Sequence, residues 1–177
     1  MKKNTLGLLA GLCVLLTGCG GTKYTNEKIT SDNGVKVETN YALSLKDREA
    51  NTGDFKLTKK SKEEYPSGHR LGLTGLVKLD ADVKVVISYT KTGTWEFNEN
   101  TETVTLKTFE MTFQAKVTGD DASTYKDYLE GVYTLTYGSE NAKKMVSGDK
   151  VTITSEDGFV NLVTLDEENK TFEGLVD

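Results

Sequence analysis

From Val77 to Tyr89 the chain alternates apolar and polar residues almost without a break. Val77, Leu79, Ala81, Val83, Val85, Ile87 and Tyr89 fall on one side; Lys78, Asp80, Asp82, Lys84 and Ser88 fall on the other. Successive side chains of a strand point to opposite faces, so this period of two predicts a long strand with one dry side and one wet side. A helix would group residues three and four apart and mix the two sets.

The same logic recurs along the chain. Tyr41, Leu43 and Leu45 alternate, as do Trp95 with Phe97, Val151 with Ile153, and Tyr133, Leu135 and Tyr137 with threonines between. Phe109, Met111, Phe113, Ala115 and Val117 form another face, but Val104 and Leu106 fall on the opposite parity. A bulge or a turn near Lys107-Thr108 reconciles the two. Turn signals separate the runs at Asn33-Gly34, Thr52-Gly53-Asp54, Gly119-Asp120-Asp121, Asp157-Gly158 and Asp166-Glu167-Glu168-Asn169. Two short helices interrupt the pattern. Asp121 or Ser123 caps one that carries Tyr125, Tyr128 and Leu129 at helical spacing; Ser139 caps Glu140–Val146, with Ala142, Met145 and Val146 inward and Gly148 past its end. Strands joined by tight turns, with no regular helical crossover, predict a mainly β fold: an antiparallel β-barrel or β-sandwich with one or two short helices.

The N-terminus reads differently. Lys2 and Lys3 precede an apolar run, Leu6–Leu16, that is too short to span a bilayer, which takes ~18–20 residues. The run ends at Leu16-Thr17-Gly18-Cys19, which resembles the lipobox of bacterial lipoproteins. That resemblance implies cleavage before Cys19, a diacylglyceryl thioether on its sulfur, and a mature protein held on the extracytoplasmic side of a membrane of the bacterial cell envelope. Residues 1–18 are then a signal peptide. Residues 19–34, polar and glycine-containing, read as the acylated N-terminus and a flexible tether. Residues 35–177 read as a single β-rich domain.

Charge and cysteine usage narrow the function classes. The leader holds two of the 22 basic residues and none of the 27 acidic ones, so the body is more acidic than the whole chain's −5. That balance argues against nucleic acid as a partner. Of two cysteines only Cys19 survives cleavage, so packing rather than a disulfide must hold the fold. With one histidine, His69, most zinc and copper sites and most histidine-dependent triads are excluded. No cofactor, metal or enzymatic activity is expected. The acidic clusters Asp120-Asp121, Glu156-Asp157 and Asp166-Glu167-Glu168 have turn chemistry but not the ligand spacing of a calcium loop. Asp80 and Asp82 share a strand side, with Lys78 and Lys84 flanking them in ordinary charge alternation.

Two stretches are candidates for binding. Gly93-Thr94-Trp95 resembles the Gly-x-Trp signature of lipocalins, barrels that hold small apolar ligands. In that family the motif opens the first barrel strand and a later arginine packs over the tryptophan; here a strand precedes Gly93 and no arginine follows Arg70. The resemblance implies a ligand site lined by Trp95, Phe97, Tyr133 and Tyr137. The other stretch is Lys56–Arg70, basic within an acidic body, with the only proline and the only histidine in its loop. Lys59, Lys60, Tyr65, His69 and Arg70 there are candidates for contacting an envelope protein, since charged and aromatic loops on rigid scaffolds carry binding. Ser67-Gly68 in that loop resembles the Ser-Gly loop of lipoprotein inhibitors of lysozyme, domains that usually carry a disulfide this chain cannot form. The expected function is a membrane-anchored, non-enzymatic envelope lipoprotein that binds a small apolar ligand in a lipocalin-like barrel. The alternative is an interaction module, an inhibitor or adaptor, acting through residues 56–70.

Overall fold

The computed structural model describes residues 21–72 and 74–174; the leader, the lipobox and Cys19 lie outside the described residues. Nine strands and two helices follow in chain order. They are β1 (Gly21–Asp32), β2 (Val35–Lys46), β3 (Thr52–Tyr65), β4 (Arg70–Leu71), β5 (Val77–Lys78), β6 (Val83–Asn98), β7 (Thr103–Gly119), α1 (Ala122–Tyr137), α2 (Ser139–Ser147), β8 (Val151–Asp166) and β9 (Thr171–Gly174). Seven strands close into a barrel in the order β1-β2-β3-β6-β7-β8-β9, while β4 and β5 form a separate hairpin. Neighbours in the barrel are antiparallel, except that β9 meets β1 in parallel at Thr25 and Thr171.

Alternation decides which side chains fill the barrel. On β6, Val83, Val85, Tyr89, Lys91 and Trp95 are buried, with exposed or half-buried residues between them. The predicted Val77–Tyr89 strand keeps its parity but is broken: Leu79–Asp82 turn away between β5 and β6, and β6 then runs on to Asn98. The parity change on β7 is real. The ladders to both β6 and β8 skip Phe109, so Val104, Leu106 and Thr108 point inward before it and Phe113, Ala115 and Val117 after it. Asp157-Gly158 does not end a strand. Ser155–Gly158 bulge from β8 opposite Phe109, and the Gly158 amide donates to Ser155 Oγ at 3.1 Å.

Two expectations are overturned. The segment read as a tether is barrel strand β1: Gly21 to Asp32 pairs residue for residue with Lys46 to Val35. Its sequence carries few apolar residues because, beyond Tyr24, most of its side chains are solvent-exposed, while its backbone is held by β2. Tyr133, Leu135 and Tyr137 lie in the last turns of α1, not on a strand. Tyr125, Leu129, Tyr133 and Tyr137 recur every fourth residue and turn one stripe to the barrel, which outweighs the local alternation with threonine. The second helix forms where expected, with Ala142, Met145 and Val146 buried and Gly148 left-handed at its end (φ 98°), but Ser139 is its first residue and Gly138, not Ser139, stands at the N-cap.

Two clusters make the core. One fills the barrel around Tyr24, Leu43, Leu45, Phe55, Trp95, Leu106 and Phe172. The other lies between the helices and the far end of the strands, around Leu79, Val83, Val85, Val117, Tyr125 and Leu129.

Candidate ligand-binding site

The barrel is sealed at the end where β1 begins. Trp95, 1% exposed, points inward from β6, and its indole Nε1 donates to the Lys46 carbonyl at 2.9 Å. The Arg48 guanidinium, on a short 3-10 turn after β2, lies 5.3 Å from the Trp95 ring centre and 5.8 Å from that of Phe97. Arg48 also bonds Glu167, which accepts from the Tyr24 hydroxyl at 2.8 Å and from Lys170 at 2.9 Å. Burial of the Tyr24 phenol, with its bond to Glu167, pushes its pKa up to about 12. Burial works to raise Glu167 as well, but Lys170, Tyr24 and Arg48 together hold its carboxyl below the ordinary value. Arg48, which lies over Trp95, precedes it in the chain, and no arginine follows Arg70.

Gly93 has its own steric cause. A Cβ there would stand 1.9 Å from the Lys107 carbonyl oxygen, because β7 crowds β6 where its ladder skips Phe109. Only glycine fits so close a backbone approach.

The opposite end is closed by aromatic packing. Tyr65, at the end of β3, lies 5.0 Å from the Tyr125 ring and 5.3 Å from His69, and its hydroxyl donates to Glu63 at 2.6 Å. Burial raises the Tyr125 phenol well above the usual tyrosine range, and that of Tyr65 as well.

Between these seals the interior changes character. One cross-strand row around the wall consists of Asn26, Tyr41, Lys59, Tyr89, Phe113 and Val151; the next is Tyr24, Leu43, Leu57, Lys91, Met111 and Ile153. Both rows face inward by the strand alternation. Lys91 is 8% exposed. Its Nζ sits 4.9 Å from the Tyr89 ring centre, and Lys59 Nζ lies 5.4 Å from the same ring and 5.5 Å from that of Tyr41. Thr39 and Ser61 continue the polar strip one row on, their hydroxyls 3.1 Å apart. Next to them on β7 and β8 are Phe113, the register partner of Tyr89, Met111, that of Lys91, and Ile153, with Tyr133 of α1 5.2 Å from Phe113. Tyr41, Lys59, Met111, Ile153 and Tyr133 are only half-buried, although they point into the molecule.

The wall explains that access. Among the described residues, β1 beyond Thr25 is strand-paired on its β2 side alone, and β8 before Val163 on its β7 side alone. Four-residue β9 bridges the two only near the sealed end. Two solvent-open depressions, of about 410 and 440 Å³, lie elsewhere: one on α1 at Asp127, Glu130, Gly131 and Thr134, the other on the outer wall near Lys46, Thr94 and Phe109.

The sequence-derived candidates are scattered by this geometry. Trp95 and Phe97 lie under Arg48 in the sealed end, whereas Tyr133 and Tyr137 pack beside the waist, their rings 6.0 Å apart. The basic stretch is divided by strand parity. Lys59 points into the barrel and Lys60 out of it, Tyr65 sits in the second core, and His69 and Arg70 belong to the loop and hairpin beyond. Arg70 donates there to the Gly75 carbonyl at 2.8 Å. Asp80 and Asp82 lie in the loop before β6, where the Asp82 carboxylate accepts from the Ser67 amide. The sequence does not single out Tyr41, Tyr89 or Lys91 as candidates, although the registers bring them together. The available signal was a charged residue, Lys91, on the inward parity of the strand that carries Tyr89 and Trp95. Comparison of the chain with family models, with curated proteins and with solved structures found no match.

Proposed function

We propose that this chain is a lipid-anchored, non-enzymatic protein of the bacterial envelope whose barrel takes a small, largely apolar ligand into its waist. The observation that carries the reading is a group of inward side chains at mid-height, Tyr41, Met111, Ile153 and Tyr133, that keep part of their surface accessible beside the buried Leu43, Leu57 and Phe113. Binding sites are concave and mostly apolar, with a few placed polar groups, and the waist has that composition. The anchor rests on the lipobox resemblance at Cys19. The alternative, a partner surface along residues 56–70, is less well supported because Lys59, Lys60 and Tyr65 face three different surroundings.

The test uses a chain from Gly20, which holds all seven barrel strands, and a neutral fluorescent naphthylamine. Saturable binding that is lost in Met111→Trp, with an unchanged thermal midpoint, supports the reading. Absence of saturable binding to the wild-type chain overturns it.

A further inference from the structure

Parity gives the outer wall of β2, β3, β6 and β7 a charge opposite to that of the chain. Even-numbered residues of β2, β3 and β6 point outward, as do Lys107 before the β7 bulge and the even-numbered residues after it. Lys36, Lys46 and Lys84 on this wall pair with Glu38 at 2.6 Å, Asp54 at 3.8 Å and Glu64 at 3.6 Å. Lys56, Lys60, Lys62, Lys107 and Lys116 are exposed and stand in no ion pair among the described residues. Only Glu96 and Glu110 remain on the wall to set against them, so it is basic on a chain of net charge −5. Lys56, Lys60 and Lys62 line up along β3, and Lys116 shares a cross-strand row with Lys62. Hydroxyls lie among the lysines: Thr58, Thr90 and Thr112 form one row, and Ser44 and Thr92 flank Lys56. Toward the Trp95 end, the depression of about 440 Å³ is lined by Lys46, Asp54, Lys56, Thr92, Thr94 and Phe109. The β7 bulge sets Phe109 there, since both ladders skip it, and Lys107 Nζ lies 5.3 Å from its ring centre.

We infer that this wall binds an extended acidic polysaccharide, a polymer of uronate-type sugars. One ring sits in the depression on Phe109, while carboxylates further along meet Lys60, Lys62 and Lys116. Each part of the wall answers one part of that ligand. An array of cations attracts a polyanion and draws it in over a Debye length. The threonine hydroxyls and Asp54 exchange hydrogen bonds with sugar hydroxyls, and the aromatic ring takes the C–H face of a sugar. Lys56 and Lys62 are six residues apart on one strand, ~20 Å, which a polymer spans and a single sugar does not. A lipid surface or a protein partner fits less well. Among the described residues, the exposed large apolar side chains lie on β1, β8, α1 and the loop before β5, and none lies on this wall. Membrane-inserting faces and the cores of protein interfaces carry such side chains. The wall is separate from the waist, and its ligand does not depend on what the waist holds.

Polygalacturonate oligomers are the probe, titrated calorimetrically into the chain from Gly20. Three comparisons accompany them: dextran, an uncharged sugar polymer; polyaspartate, a charged polymer without sugar; and vesicles of phosphatidylcholine with phosphatidylglycerol. Polygalacturonate is expected to bind at least ~10-fold more tightly than any of the three, and to weaken as salt rises. Lys56→Gln, Lys60→Gln and Lys62→Gln together should weaken it at least ~10-fold. Lys126→Gln, Lys143→Gln and Lys150→Gln together change the net charge equally but lie off this wall, and should weaken it less than ~twofold. Phe109→Ala should weaken polygalacturonate and leave polyaspartate where it was. Should that variant fail to fold, as read by its thermal midpoint, Thr92→Val with Thr94→Val reads the same depression. The inference is overturned by no saturable binding of polygalacturonate, by polyaspartate or vesicles bound as tightly, by equal losses in the two lysine triples, or by depression variants that bind like wild type. None of these results touches the neutral naphthylamine at the waist, so the two readings fail separately.

Discussion

Trp95 is held from three directions: the Lys46 carbonyl takes its N–H, Arg48 covers its face, and β7 presses close at Gly93 two residues before it. Substitution to alanine is expected to cost about 3–5 kcal/mol, the range for deleting a buried aromatic, and a denaturant titration measures it. Gly93→Ala should be at least as damaging relative to the size of the change, since one methyl group must displace the β7 backbone. Recovery of a cooperative transition close to wild type would show that β7 can shift. The Tyr24–Glu167 pair gives the sealed end a pH signature at both extremes. Glu167 is held below its ordinary value of 4.5, so its contribution is present above that pH and is lost as pH falls through the lower folded value. Tyr24 is raised from 10.0 to about 12, so its contribution is present below pH 10 and is lost as pH rises toward 12. Glu167→Gln should flatten the acid limb of a stability–pH curve and leave the neutral plateau nearly level.

Among the elements, β7 depends most on a single residue. Deleting Phe109 would straighten the ladder and turn either Val104 and Leu106 or Phe113, Ala115 and Val117 out of the barrel. The deletion is expected to abolish the folded state by circular dichroism, whereas Leu135→Lys on α1, at a site 90% exposed, should leave the midpoint unchanged within ~0.5 kcal/mol. These two elements also mark what was legible in advance. Periodicity predicted β2, much of β6, the start of β8 and the parity change on β7, because burial of one face writes itself directly into the residue order. It missed β1, whose place in the wall depends on backbone pairing to β2 and leaves little mark on side-chain polarity. It also misread the end of α1, where a run of Tyr, Thr, Leu, Thr and Tyr satisfies both periods and tertiary packing decides. The waist was hidden for a related reason. Tyr41, Lys59, Tyr89 and Lys91 come from three strands, and only the registers bring them to one side of the interior.

For the whole molecule, one feature changes how the proposed anchor acts. The barrel wall starts at Gly21, paired with Lys46 beside the Trp95 end. If Cys19 is acylated as proposed, one residue of sequence, Gly20, lies between it and the first residue of β1, a span of at most ~7 Å. A sixteen-residue leash would let the barrel roam a hemisphere of solvent; one residue, under the proposed anchor, would make it a fixture with a fixed underside. That end of the barrel carries the turns at 47–51, 99–102 and 167–170, rich in Asp and Glu, which anionic headgroups would repel under the proposed anchor. Under the proposed anchor the barrel would then meet only what comes within its own radius of the attachment point. Inserting ten Gly/Ser residues after Gly20 should restore the roaming, and crosslinking between barrel lysines and neighbouring envelope proteins should then spread to more distant partners.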